Sequence, residues 1–486
     1  MELYELTITK AQKGLREKEF SAKELTQSCL QRIDKVEDEL NAFITVTPIE
    51  ALAQAQEIDG KLARGEELAP LAGIPMAFKD IFSTKGLETT AASNILKGYI
   101  PPYDATVVRK LKEQGVVVLG KTNHDAFAHG SSGENSDFGP TKNPWDLARV
   151  PGGSSSGSAA AVAAGECLLA TGTDTGSSIR LPAAFCNLVG LKPTYGRVSR
   201  YGIIAMASSL DTVGCLTRTV TDHALVMSVM AGHDPQDATT PEIPVPDYTE
   251  ALTAGIKGLK IGIPQEYFVG GIETEVREIT EKAIAQLVEL GAEVTDVSLP
   301  HTEYGVATYC VICHSEVSSN LARYDGTRFG HRSEAAQDIV ETYFKSRGEG
   351  FGAEAKRRIM LGTYALSAGY YDAYYDKAQR VRTLIKKDFT DVFTKVDVLV
   401  APSSPTAPFK LGEKTADPLA MYLADIFMCP VNLAGVPSLN IPCGFAEGLP
   451  VGMQIIGPNF SEERLFQVGY AYEQATDWHN RHPDSI

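Results

Sequence analysis

The stretch GGSSSGSAAAVAAGECLLATGTDTGSSIRLP, residues 152–182, decides the fold. It opens as a glycine and serine loop, passes through a run of alanines, and continues by CLLATGTDT into a second small-residue turn. Small side chains over SAAAVAAGE let a helix lie close against a sheet, and CLLATGTDT reads as a buried strand running into the turn TGSSIR. A strand set between two helix starts is the building unit of an α/β protein. The preceding segment, 130–157, is rich in Gly, Ser, Asn and Pro. A loop of that length inside a compact fold usually carries function.

The same texture extends in both directions. Upstream, GIPMAF reads as a short strand ending at Lys79 and Asp80, DATVVRKLKEQG as a helix and VVVLG as a buried strand. The first seventy residues look helical. Ser21 with Glu24, and Thr47-Pro48 with Glu50, are capping-box patterns that predict two amphipathic helices. Downstream, residues 232–257 carry several Pro and Asp and read as a surface crossing. KIGIP, a helix from about Glu273 to Leu290, and AEVTDVSL then resume the alternation. From about His301 to Val396 the chain is mainly helical, with a long candidate helix over 353–387. VDVLVAP, SLNIPCGF and VGMQIIGP supply the last strands, and SEERLFQVGYAYEQA a closing helix.

Length alone, 486 residues, suggests roughly three domains at about 150 residues each. Strands stand on both sides of every candidate linker, however. One large mixed β-sheet covered by helices on both faces, in a single domain over 1–486, is therefore expected. The formal charge of −16 makes the surface repel polyanions, which excludes unaided nucleic-acid binding, DNA included. Cysteines at 29, 167, 186, 215, 310, 313, 429 and 443 are scattered through mostly apolar contexts, unlike a disulfide framework. The charged N-terminus has no apolar signal core, and no uncharged apolar run reaches the roughly 18 residues of a span. A cytoplasmic protein without membrane contact is expected.

Several motifs compete for the chemistry. Cys310 to His314, CVICH, fits a haem-attachment pattern or half a zinc site, but no second ligand pair stands nearby and the motif falls on a helix, so packing is the better reading. The nine histidines include no HExxH, and no metal site is expected. Gly153 to Gly157 matches the nucleophile elbow GxSxG around Ser155. An elbow needs a strand before it, whereas NPWDLARVPG reads as loop. The same loop lacks the Lys-Ser/Thr of a phosphate cradle.

Three spaced features remain: Lys79 at the end of an apolar strand, serines in PGGSSSGS, and Ser178 between a strand and a helix start. Each has a plain structural explanation, namely a lysine paired with Asp80, a flexible loop and a capping serine. Together they meet a chemical need. A serine hydroxyl is a weak nucleophile until a base takes its proton, and without a histidine the available base is a lysine whose pKa desolvation has lowered. A second hydroxyl can relay the proton. Amides near 175–178, helped by the following helix, can face a developing oxyanion. Spacing alone does not choose Ser178 over Ser177, or Ser154 over Ser155.

The set resembles the amidase signature family, serine hydrolases with a Ser, cis-Ser, Lys triad, through GGSSSGSAAAVAAG and GTDTGSSIRLPAAFCNLVGLKPTYGRVSR. The likeness is strong over about 60–235 and more diffuse elsewhere. It implies the family's α/β fold, Ser178 as nucleophile, Ser154 as bridging serine, Lys79 as base, and an oxyanion hole from the backbone of Thr175, Gly176, Ser177 and Ser178. Whether the cis peptide precedes Ser154 or Ser155 stays open at this stage.

Within that family the chain is most similar to the glutaminase subunits of tRNA-dependent amidotransferases, through SGENSDFGPTKNPWD, RYGIIAMASSLDTVG, AEAKRRIMLGTYALSAGYYDAYYDKAQRVR and ADIFMCPVNLAGVPSLNIPCG. This likeness implies glutamine as substrate, with Arg358 on its α-carboxylate, Asp425 on its α-amino group and Tyr309 as a further contact, the helical insertion over about 301–396 contributing to the pocket. An Arg fork suits a carboxylate, and a carboxylate suits an ammonium group. The likeness also implies two partners, the B and C subunits of such a complex. The ammonia passes to the B subunit, which holds ATP and Mg²⁺ and most of the tRNA contact. The small C subunit wraps the interface, and this chain holds no cofactor. The alternative is a stand-alone amidase of the same family acting on a small or aryl amide.

Overall fold

The computed structural model describes residues 2–268, 270–484 and 486. Eleven strands form one sheet: β1 (Phe43–Val46), β2 (Pro75–Lys79), β3 (Val117–Thr122), β4 (Leu169–Asp174), β5 (Val189–Lys192), β6 (Thr212–Thr217), β7 (Lys260–Pro264), β8 (Glu293–Val297), β9 (Val398–Pro402), β10 (Ser438–Ala446) and β11 (Leu449–Ile456). Their spatial order is β1-β3-β2-β4-β6-β5-β10-β11-β9-β7-β8. The β3-β2-β4 and β9-β7-β8 sets are parallel, and antiparallel pairs join them across the middle. The expected mixed α/β sheet is present. Every residue of β2, β3, β4 and β6 is buried. Because side chains alternate between faces, burial of the whole strand requires cover on both sides. The edge strand β8 is largely exposed.

The alanine run forms the helix Ser156–Ala164, all nine residues buried. Its close approach depends on Gly157, where a Cβ would stand 2.2 Å from the carbonyl oxygen of Ala42 and 2.6 Å from that of Asn123. Of the two expected capping boxes only the first forms. Ser21 Oγ accepts the Glu24 amide at 3.1 Å, and a Glu24 carboxylate oxygen accepts the Ser21 amide at 2.8 Å. The Thr47 hydroxyl instead donates to the Val118 carbonyl at 3.1 Å, because the residue leaves β1 beside β3, and Pro48 alone opens the helix Pro48–Ala63.

The long helix expected over 353–387 is broken. The helix Ala353–Leu366 stops at Ser367, Gly369 turns through φ +87°, and a π-helical turn Asp372–Asp376 leads into the helix Lys377–Val392. The sequence SAG supplies the one residue that takes this left-handed conformation without cost, which periodicity does not register. The 232–257 crossing is a pinned loop. Asp234 accepts the hydroxyls of Thr106 and Ser199 at 2.5 Å each. No helix among the described residues is long and apolar enough to cross a membrane.

Candidate active site

Strand β2 ends at Lys79, and its parallel neighbours β3 and β4 put the lysine at the C-terminal edge of the sheet, beside the loop that enters the helix Ser156–Ala164. Lys79 is fully buried. Its ammonium donates to Ser154 Oγ at 2.8 Å, Thr173 Oγ1 at 2.9 Å and Ser155 Oγ at 3.0 Å. Among the described residues no carboxylate lies within ion-pair distance of it. Asp80, the neighbour that could have paired with it, is instead 3.2 Å from Lys121. Burial pulls the Lys79 pKa down to about 7 against the opposing fields of Asp125, Asp174 and Asp211. Burial alone does not mark a base, since Lys192 is also brought to about 7 but donates to the Pro193 carbonyl and, among the described residues, to no hydroxyl.

Ser154 follows a cis peptide bond, Gly153–Ser154. No strand precedes this loop, so the nucleophile-elbow geometry is absent. Asp125 backs the loop by accepting the amides of Gly133 at 3.0 Å and Asn135 at 2.9 Å, and a Cβ on Gly153 would stand 2.2 Å from its carboxylate. Asp125 and Thr173 were not singled out from sequence. A signal for Thr173 exists: Thr171 and Thr173 alternate on one face of β4, and they accept the Lys79 amide at 3.0 Å and its ammonium, respectively.

Ser178 lies in the turn between β4 and the helix Arg180–Phe185, buried but with 5% of its surface open. Its carbonyl accepts the Ser155 amide at 3.1 Å, so the two serine loops are stitched through the backbone and not by a Ser154–Ser178 hydroxyl pair. None of the amides of Thr175, Gly176, Ser177 and Ser178 has an acceptor among the described residues. Four successive amides with no partner in the chain can receive an acceptor from outside it. The turn is held from below. Arg180 meets Asp174 at 3.0 Å and the Gly176 carbonyl at 3.1 Å, while Thr175 Oγ1 donates to Asp211 at 2.7 Å.

Tyr309, on the helix Gly305–Leu321, lies against this turn. A Cβ on Gly176 would sit 2.8 Å from its hydroxyl. Asp425 accepts Ser177 Oγ and Ser131 Oγ at 2.6 Å each, one oxygen apiece, and burial raises its pKa to about 6. Arg358 is not a solvated helix charge: it is 4% exposed, its Nε meets Glu354 at 2.7 Å, and its guanidinium lies 5.6 Å from the centre of the Tyr422 ring. Arg358 lines a cleft of about 160 Å³ together with Ser132, Asn135, Glu354, Met421 and Tyr422. Asp425 joins the serine beside this cleft, Ser131, to the turn that carries Ser178. The lysine, both serine loops, Tyr309 and Asp425 therefore share one linked set of contacts, with Arg358 in the adjoining cleft. Cys310 and Cys313 sit on the same helix as Tyr309, and no group of three or more His, Cys, Asp or Glu side chains poised to hold a metal ion occurs among the described residues.

Comparison with known proteins gives one consistent result. The model of the family described as Amidase matches residues 24–466. The A-subunit of glutamyl-tRNA(Gln) amidotransferase from Moorella thermoacetica is 57% identical over 484 residues, covering 100% of this chain and 99% of that protein. The crystal structure of the glutamyl-tRNA(Gln) amidotransferase A-subunit from Thermotoga maritima superposes with a TM-score of 0.80 at 42% identity, covering 98% of this chain and 96% of that one. The native peptide amidase of Stenotrophomonas maltophilia gives a TM-score of 0.81 at 33% identity, with 98% of each chain covered.

Proposed function

The chain belongs to the amidase signature family, and on that footing we propose that it is the glutaminase subunit of a cytoplasmic tRNA-dependent amidotransferase. The observation that carries the catalytic half is the placement of Lys79, buried and surrounded by hydroxyls at 2.8–3.0 Å with no counter-ion in contact among the described residues. A lysine so placed has a substantial neutral fraction near pH 7 and can take a proton from a serine.

In the proposed reaction, Ser178 Oγ attacks the side-chain amide carbon of glutamine while its proton passes through Ser154 to Lys79. The carbonyl oxygen, now an anion, is received by the amides of the 175–178 turn. Collapse breaks the C–N bond, and Lys79 returns the proton through Ser154 to the departing ammonia. Water then attacks the γ-glutamyl ester over the same relay and releases glutamate, restoring Ser178. Arg358 offers its guanidinium to the substrate α-carboxylate, and Asp425, on a carboxylate ionised above about pH 6, attracts the α-ammonium. Tyr309 fixes the turn against which the amide lies.

The choice of glutamine, and of a partner-dependent role, is supported by full-length likeness to amidotransferase A-subunits. Ammonia would pass to the B subunit, which would bind ATP and Mg²⁺ and amidate Glu-tRNA(Gln), or Asp-tRNA(Asn), with the C subunit in the interface. In the assembled complex, Ser178→Ala should lower glutamine hydrolysis by at least a thousandfold while amidation with added ammonium salt persists. Full glutaminase activity in that variant would remove Ser178 from the mechanism. A chain that hydrolyses small amides freely and never supports glutamine-dependent amidation with the B and C subunits would be a stand-alone amidase.

A further inference from the structure

Two adjacent serines stand in the turn after β4, and they are not equivalent. Ser178 is 5% exposed, and its hydroxyl has no hydrogen-bond partner among the described residues. Ser177 is 1% exposed, and its hydroxyl is committed to one oxygen of Asp425 at 2.6 Å. A hydroxyl has one proton to donate, so Ser177 holds the carboxylate while Ser178 stays free to attack.

The Ser177–Asp425 bond spans two parts of the candidate site. Ser177 contributes its own amide to the run 175–178, and the amide of Ser178 follows it. A serine side chain has a single heavy-atom torsion, so fixing its Oγ steadies the backbone that carries these amides. The other ties of the turn lead elsewhere: Thr175 Oγ1 to Asp211 at 2.7 Å, the Gly176 carbonyl to Arg180 at 3.1 Å, and the Ser178 carbonyl to the Ser155 amide at 3.1 Å. Asp425 closes the 3₁₀ turn Leu423–Asp425 and is 6% exposed. Its second oxygen accepts Ser131 Oγ, also at 2.6 Å, from a loop outside the β4 turn. Among the described residues no cation lies within ion-pair distance of it. Two hydroxyls use about half of the hydrogen bonds a carboxylate can accept, and they leave its buried charge uncompensated. The remaining lone pairs suit an ammonium group.

We infer that Ser177 is a positioning residue: through its hydroxyl, the carboxylate that attracts the substrate α-ammonium also holds the oxyanion amides, and this bond sets the spacing between the amino-acid end of the substrate and its reacting amide. The inference rests on the glutaminase reading above and adds to it a basis for substrate length. Glutamine has two methylene groups between its α-carbon and its amide, and asparagine has one. A turn tied to Asp425 receives the carbonyl oxygen of the longer side chain and leaves that of the shorter one out of reach of the amides. Misplacement by about 1 Å can lower a rate on the order of a hundredfold.

The test compares Ser177→Ala with Ser131→Ala, each in the chain assembled with its B and C subunits, by following ammonia release from glutamine and from asparagine. Both variants take one hydroxyl from the same carboxylate at the same 2.6 Å, but only Ser177 lies on the turn. Ser177→Ala is expected to lower kcat for glutamine at least tenfold with KM within threefold of wild type, and to lower the glutamine-to-asparagine ratio of kcat/KM at least fivefold. Ser131→Ala is expected to raise KM at least threefold and to leave that ratio within twofold. Ser177→Gly removes the same hydroxyl with no side chain to seat, and should give the same pattern if circular dichroism shows Ser177→Ala to fold poorly. Unchanged kcat in the Ser177 variants, or a rise in KM alone, would deny Ser177 any hold on the amides. Equal falls in kcat in the Ser131 and Ser177 variants would reduce it to a support for Asp425, and equal losses on the two amides would remove the spacing role. Each of these results would overturn the inference and leave the glutaminase reading standing. A wild-type complex that hydrolyses no glutamine would overturn that reading and the inference with it.

Discussion

A buried lysine with three hydroxyl neighbours sets the pH response of this protein. The Lys79 pKa falls from the ordinary 10.5 to about 7, so its neutral form grows as pH rises through 7. Asp425, raised from 3.8 to about 6, must lose its proton to attract an ammonium group. Both requirements act in the same direction, and kcat/KM for glutamine should rise with pH, steeply below 6 and to a plateau above about 8. The stability linkage runs separately. Between 7 and 10.5 the unfolded chain binds the lysine proton and the folded chain does not, so stability rises with pH across that window, and the cost of burying the charge is complete below 7. Lys79→Met should therefore abolish activity yet gain stability relative to wild type at pH 6, by on the order of 4 kcal/mol, with the gain shrinking towards pH 10. A stability difference that ignores pH in urea titrations would mean that the lysine is not displaced in the fold. Lys79 was legible in the sequence because an apolar strand ending in a charge is locally odd. Thr173 was not singled out, since it lies 94 residues away and the parallel pairing of β2 with β4 delivers it, while Ser155 stood in the sequence only as an open alternative to Ser154.

Elements with strong periodicity were read with little error, and the three strands that were missed share a cause. KIGIP is β7 residue for residue, whereas Phe43–Val46 and Val189–Lys192 have four residues each, too few to show alternation, and TVGCLT of β6 is buried along its whole length and so lacks it. The 353–387 helix failed for the converse reason: the chain leaves the helix at Ser367, which is extended, and turns at Gly369 through a left-handed φ that periodicity does not register. The helix Ser156–Ala164 was legible as a close-packing helix, but the residue that makes it so is Gly157, wedged on the Ala42 and Asn123 backbones. Backbone atoms cannot swing aside as a side chain end can. Gly157→Ala should cost about 1–3 kcal/mol or more from overpacking, and it should displace the Ser154 and Ser155 hydroxyls, lowering kcat well beyond the stability loss. Gly348→Ala is the control, because nothing lies within 4 Å of a Cβ there and the position is on the helix Ile339–Gly350. Equal melting temperatures for the two variants would contradict the close approach.

At the scale of the molecule, the net charge of −16 makes the surface repel polyanions. The larger question is how a sheet of eleven strands, with a parallel set in each half, keeps the β4 turn in register with elements more than 250 residues away in sequence. The answer centres on Arg180, fully buried and donating in several directions: to Asp174 at the end of β4, to Gln454 on β11 at 3.2 Å, and to Asn432 on the helix Cys429–Ala434 at 2.5 Å. Asn432 closes the circuit by donating to Asp174 at 2.8 Å. One guanidinium therefore links the turn bearing Ser178 to the opposite half of the sheet, and none of these partners was legible in the sequence, because each is polar, isolated and remote. Removing it leaves the Asp174 carboxylate buried with Asn432 and its own amides but no cation. Arg180→Met should destabilise the protein by roughly 3–5 kcal/mol, the usual cost of breaking a buried pair from one side. The double variant Arg180→Met/Asp174→Leu should recover part of that loss, since it removes the stranded charge, yet it should remain inactive because the Gly176 carbonyl and the 175–178 amides lose their anchor. Urea unfolding and glutaminase assays on the two variants separate the effects, and recovery of activity in the double variant would show that the network stabilises the sheet without shaping the turn.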